Sequence, residues 1–110
     1  MSERERRQGL NEAVFRQVNE RINDVHEAFE LDPQKLHLMC ECGDPTCNER
    51  LSMPVADYEK MRADSRQFAV IPGHADHAVE DVAEHEEKYD IVRKRGEAAE
   101  LAEQTDPRDD

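Results

Sequence analysis

Cys40-Glu41-Cys42-Gly43-Asp44-Pro45-Thr46-Cys47 contains every cysteine of the chain. Three thiolates spaced C-x-C-x4-C can converge on one soft cation, and zinc is the usual occupant of such a set. In an extended chain residues i and i+2 point to the same side, so Cys40 and Cys42 can face one ion where a strand ends. Gly43-Asp44-Pro45 is turn chemistry, because glycine reaches left-handed dihedrals and proline presets φ. The turn folds Cys47 back toward the same point, with Asp44 expected to cap it rather than to bind metal. Turn amides can donate to the sulfurs and offset their charge. Three sulfurs still leave a tetrahedral ion one ligand short.

Five histidines compete for the fourth position: His26, His37, His74, His77 and His85. His26 falls within a helical pattern well before the knuckle and is expected at the surface. His37 precedes Cys40 by three, which in a strand turns it to the opposite side. His74 follows an apolar strand in the tight turn Pro72-Gly73-His74 and is the best candidate, with His37, His77, His85, a carboxylate or water as alternatives. The expected metal set is therefore Cys40, Cys42, Cys47 and His74 around Zn2+. Three cysteines and a histidine close the shell, which suits a structural site without catalytic residues or a further cofactor. No H-E-x-x-H, G-x-S-x-G, P-loop, G-x-G-x-x-G or deaminase pattern is present. The expected function is a non-enzymatic zinc-binding module for protein interaction or regulation. A thiol/zinc redox switch, with Cys47 as the disulfide partner, is the alternative, ahead of a zinc-dependent enzyme or a nucleic-acid binder.

Composition points the same way. The chain has 110 residues, 36% hydrophobic and 38% charged, without tryptophan, so its core must be thin. A metal cross-link helps such a chain, because metal-binding free energy becomes folding free energy. One zinc-stabilised domain is expected over residues 1–104, followed by a disordered acidic tail over 105–110. The net charge of −12 is concentrated in residues 76–110. An acidic surface repels phosphate backbones and weighs against nucleic acid as a partner; its simplest role is solubility. An unidentified protein is the expected partner. No apolar run reaches the ~20 residues of a membrane span, and Met1-Ser2-Glu3-Arg4-Glu5-Arg6-Arg7 lacks a signal-peptide core. An odd cysteine count suits metal thiolates in a reducing compartment, so a cytoplasmic location is expected.

The pattern predicts an α+β fold: a long N-terminal helix, a small antiparallel sheet around the zinc knuckle, and additional short helices. Leu10, Val14, Val18, Ile22, Val25 and Phe29 form one stripe on a helix over 8–31. Asn11, Glu12, Arg16, Gln17, Glu20 and Asp24 fall largely on the opposite, wet face. The stripe predicts core packing; its sharper reading is a partner-binding helix, with the chain a monomer or a homodimer through it. Asp32-Pro33 is expected to end the helix. A strand over 36–41 leads into the knuckle, and 49–53 can return beside it. A helix over 55–63 and a strand over 68–71 follow. Residues 79–94 read as a hairpin turning at 86–88, with a helix as the alternative. Gly96 breaks the pattern before a short helix over 97–104.

The spacing of Cys40, Cys42 and Cys47 resembles the post-SET zinc module of histone lysine methyltransferases. No SET-domain sequence accompanies it, so that activity does not carry over. The whole chain resembles a group of small actinobacterial proteins of unassigned function. The likeness rests on the helix from Asn11 to Ile22, a C-E-C-x-D-x-x-C knuckle met from Cys40 to Cys47, Tyr58-Glu59, Arg62-Ala63-Asp64, Arg66, Phe68, and Pro72-Gly73-His74. It implies His74 as the remote ligand and brings no known activity. Glu86-Glu87-Lys88 stands where that group would have a glycine-containing turn.

Overall fold

The computed structural model describes residues 1–108. Its elements run α1 (Glu3–Ala28), β1 (Leu36–Met39), β2 (Arg50–Met53), α2 (Val55–Arg62), β3 (Gln67–Val70), β4 (Glu80–His85), β5 (Asp90–Lys94) and α3 (Gly96–Gln104). The arrangement is α+β, with two small antiparallel sheets rather than one. β1 pairs with β2, and the second sheet has the order β3-β5-β4. The β4–β5 hairpin falls where the sequence pattern puts it, with an irregularity between Val82 and Glu84. Two adjoining apolar clusters form the interior. One gathers Leu36, Leu38, Leu51, Met53, Tyr58 and Ile91. The other joins Phe68, Val70 and Val92 to Cys40 and Cys42, so the knuckle is itself part of the core.

α1 starts five residues before the apolar stripe suggests. The Ser2 side chain accepts from the Glu5 amide while the Glu5 carboxylate accepts from the Ser2 amide, a capping box that satisfies two free donors of the first turn. Its C-terminus closes without the Asp32-Pro33 break. Glu30 takes a left-handed φ of 51°; its amide donates to the Glu27 carbonyl at 3.0 Å and the Leu31 amide to the His26 carbonyl at 3.1 Å. Glycine usually fills that position.

The stripe on α1 is the main departure from expectation. Leu10, Val14, Val18, Val25 and Phe29 lie outside, from 36% exposed at Val18 to 73% at Phe29, and only Ile22 touches the core. The face turned inward carries Glu12, Ala13, Arg16, Asn19, Asn23 and His26. Glu12 and Arg16, expected in water, are fully buried. The reason is that each inward polar side chain finds at least one fixed partner, which offsets its desolvation, although Arg16 Nε itself has none. Arg16 donates to the carbonyls of Ser65 and Ala102 at 2.6 Å each and lies 4.4 Å over the Phe68 ring. Asn19 imitates a strand neighbour: it donates to the Met39 carbonyl and accepts from the Met39 amide, both at 2.9 Å. Lys94 reaches Glu12 at 2.5 Å and also pairs with Glu80. His26 is buried too, with Nε2 2.7 Å from the Asp32 carbonyl.

Residues 105–108, the described part of the expected tail, carry ion pairs of their own. Asp106 pairs with buried Arg62, and Arg108 binds Glu20 and Glu59 at 2.5 and 2.7 Å. These charges tie residues 105–108 back onto α1 and α2. The rest of the expected tail, residues 109–110, lies outside the described residues.

Candidate metal centre

The donor set is assembled by backbone pairing. Beyond the end of β1, the Cys40 amide donates to the Glu49 carbonyl at 3.1 Å and the Glu41 amide to the Ala69 carbonyl at 2.9 Å. Cys40 thus belongs to the β1–β2 pair while Glu41 reaches β3, and the strand stitches the two sheets together at the knuckle. Side chains alternate along it, so Cys40 and Cys42 share one side and Glu41 takes the other.

Gly43 has a φ of 79°, the left-handed conformation the turn requires. A Cβ there would also meet the Gln8 carbonyl oxygen at 2.8 Å and Glu12 Cγ at 2.6 Å, so the knuckle tip rests directly on α1. Asp44 caps the turn as expected: its carboxylate accepts from the Thr46 amide at 2.9 Å and hydroxyl at 2.7 Å, which holds its pKa below the ordinary value. The Cys47 amide closes back onto the Asp44 carbonyl at 3.0 Å.

The turn after β3 supplies the fourth group. The His74 amide bonds the Ile71 carbonyl at 3.0 Å, and Gly73 takes a φ of 88°. The Asp90 carboxylate accepts from the Gly73 amide at 3.2 Å and anchors the turn to β5. His74 Nδ1 then sits 3.6 Å from Cys40 Sγ and 3.8 Å from Cys47 Sγ. The donor atoms of Cys40, Cys42, Cys47 and His74 all lie within 4.8 Å of one another, a group able to hold a metal ion. The other histidines are not gathered there: His37, His77 and His85 are exposed, and His85 instead pairs with Asp90 at 2.5 Å.

Two supporting carboxylates went unread in the sequence. Glu49 Oε2 lies 3.2 Å from His74 Nε2, the ring nitrogen turned away from the sulfurs. A carboxylate there fixes the ring so that Nδ1 faces the cluster. Glu41 is fully buried and accepts from Asn19 Nδ2 at 2.8 Å and the Ala69 amide at 2.9 Å. Burial raises its pKa, and these hydrogen bonds work against the rise. The signal for Glu41 was its place in the middle of C-x-C, where strand alternation turns it toward the core. Glu49 carries no comparable local signal.

Cys40 and Cys42 are buried and Cys47 is half-buried. The Ile71 amide donates to Cys40 Sγ at 3.2 Å. Burial pushes the Cys40 and Cys42 thiols upward, opposed at Cys42 by the Asp44 amide. Activated cysteines sit in electropositive, partly exposed surroundings that lower the thiol pKa; Cys40 and Cys42 are placed in the opposite setting.

The chain matches no protein-family model, no curated protein and no solved structure. Among the described residues, no helix is long and apolar enough to cross a membrane.

Proposed function

We propose that Cys40, Cys42, Cys47 and His74 hold a structural Zn2+, and that the chain is a non-enzymatic, cytoplasmic protein-interaction or regulatory module clamped by that ion. The observation that carries this reading is the spacing of the donors. A tetrahedral zinc with Zn–S of about 2.3 Å and Zn–N of about 2.0 Å sets sulfur and nitrogen roughly 3.6 Å apart. The two Sγ–Nδ1 separations are 3.6 and 3.8 Å. The donor chemistry fits as well: thiolates select zinc over hard cations, and a carboxylate behind the histidine is the usual outer support. Four protein donors leave no position for an exchangeable water, which favours a structural over a hydrolytic role. A shared Pro72-Gly73-His74 turn makes kinship with the small actinobacterial proteins part of the same proposal.

The test is metal content and melting temperature of purified Cys42→Ser and His74→Ala chains. Each is expected to lose most of its zinc and to melt well below the parent. Full zinc content and stability in His74→Ala would overturn the ligand assignment. X-ray absorption should show three sulfurs and one nitrogen about the ion.

A further inference from the structure

The exposed stripe on α1 asks for a cover. Projected at 100° per residue, Leu10, Val14, Val18, Val25 and Phe29 fall within an arc of about 100°, all exposed, on the side of the helix away from its buried polar face. Leu31, 53% exposed, extends the apolar surface past the helix end. An apolar band from Leu10 to Phe29, interrupted on its arc by exposed Arg21, is not an ordinary scatter of surface residues.

We propose that this band is a homodimer interface, in which α1 of one copy lies antiparallel against α1 of a second. Two properties of the band select a second copy. The first is its spacing, which reads nearly the same from either end. About a twofold axis between Asn19 and Glu20, Leu10 faces Phe29 and Val14 faces Val25, while at the centre Val18 faces exposed Arg21, whose aliphatic stem can cover it. A surface must be self-complementary in this way to pair with itself across a twofold.

The second property is charge. Arg4, Arg6 and Arg7 are exposed at the N-terminal end of α1, and Asp24, Glu27, Glu30 and Asp32 are exposed toward and just beyond its C-terminal end. Antiparallel pairing sets each basic end beside the partner's acidic end and opposes the two helix dipoles. Parallel pairing would set like against like. The acidic flank and the chain's net charge of −12 also disfavour an anionic membrane surface as the occupant. A contact of this length, with its flanks, buries on the order of 1,000 Å² in total, the lower edge of specific interfaces. The dimer is therefore reversible and concentration-dependent. It rests on the interaction half of the function proposed above and not on the metal half.

Sedimentation equilibrium of the full, zinc-supplied chain reads the dimer directly. The mass is expected to rise with concentration from 12.7 kDa toward twice that value. Val14→Glu/Val25→Glu should weaken association by at least about 50-fold, because two carboxylates would be desolvated against apolar side chains. Its melting temperature and zinc content should stay at parental values in dilute solution. Arg6→Glu/Arg7→Glu should also dissociate the dimer, and adding Glu30→Lys/Asp32→Lys to that chain, at the acids lying nearest those arginines in this register, should restore it. A parent that stays at monomer mass up to about 1 mM, a dimer untouched by the valine changes, or binding to phosphatidylserine vesicles without self-association would each overturn the proposal. Zinc measured on the same samples separates failure here from failure of the metal reading.

Discussion

The knuckle and the seam beneath α1 hold the chain together by opposite means. At the knuckle, four donors from two turns converge within 4.8 Å, and each turn is fixed by its own short hydrogen bonds. Along the seam, charged and amide side chains are buried over four turns of helix, each tied to a separate backbone or side-chain group. The first is local and depends on one shared centre. The second is distributed, and every contact is its own small commitment. Buried polar pairs add less stability than well-packed apolar residues but tolerate few alternative partners. In this chain the apolar residues of α1 have been left to the outer face, and the inner face is specified by hydrogen bonding.

That contrast can be broken from the seam side. Arg16→Ala leaves the carbonyls of Ser65 and Ala102 without their charged donor and the Phe68 ring without its cover. The expected loss is about 3 kcal/mol, read by urea unfolding, with zinc content at parental level in the folded protein. Loss of zinc together with stability would mean that the two regions are not separable.

The titration of Glu12 sharpens the contrast. Two carboxylates, Glu12 and Glu80, share the single cation of Lys94 in a dry site, with Glu41 adding further negative charge. Burial, opposed by Lys94, raises Glu12 from 4.5 to about 8. A group whose pKa is raised by folding stabilises the fold fully below its unfolded pKa and loses that contribution as pH rises through the folded one. The parent should therefore lose stability between roughly pH 5 and 9 relative to Glu12→Gln, which carries no charge at any pH. Parallel melting curves across that range for the two proteins would remove Glu12 from this role.

The smallest effect is expected at the end of α1. Glu30→Gly removes a Cβ from a left-handed residue and should raise stability by about 0.5–1 kcal/mol, net of the entropy glycine loses on folding. The measurement is thermal melting of dilute protein, with metal content as the control.

Much of this was legible. The α+β class, the long first helix, the hairpin at 79–94 and the four clustered side chains all follow from local signals: turn residues, alternation and the crowding of every cysteine into eight positions. What periodicity could not give was the direction of α1. A hydrophobic stripe says that a helix has two unlike faces; it does not say which faces the chain's own sheet and which some other surface. Here hydrogen-bonding capacity decided the matter. Asn19 matches the amide and carbonyl of Met39, and Arg16 matches two carbonyls more than 45 residues away in sequence. No window of sequence holds both partners. Glu49 behind His74 was hidden for the same reason.

Glu41 has a further consequence. It lies on the strand between two sulfurs, with its carboxylate turned to the opposite side and seated on Asn19 and Ala69. Three consecutive residues of one strand thus serve both regions: two sulfurs of the candidate metal set leave it on one side, and on the other a buried carboxylate is held by the first helix and by β3.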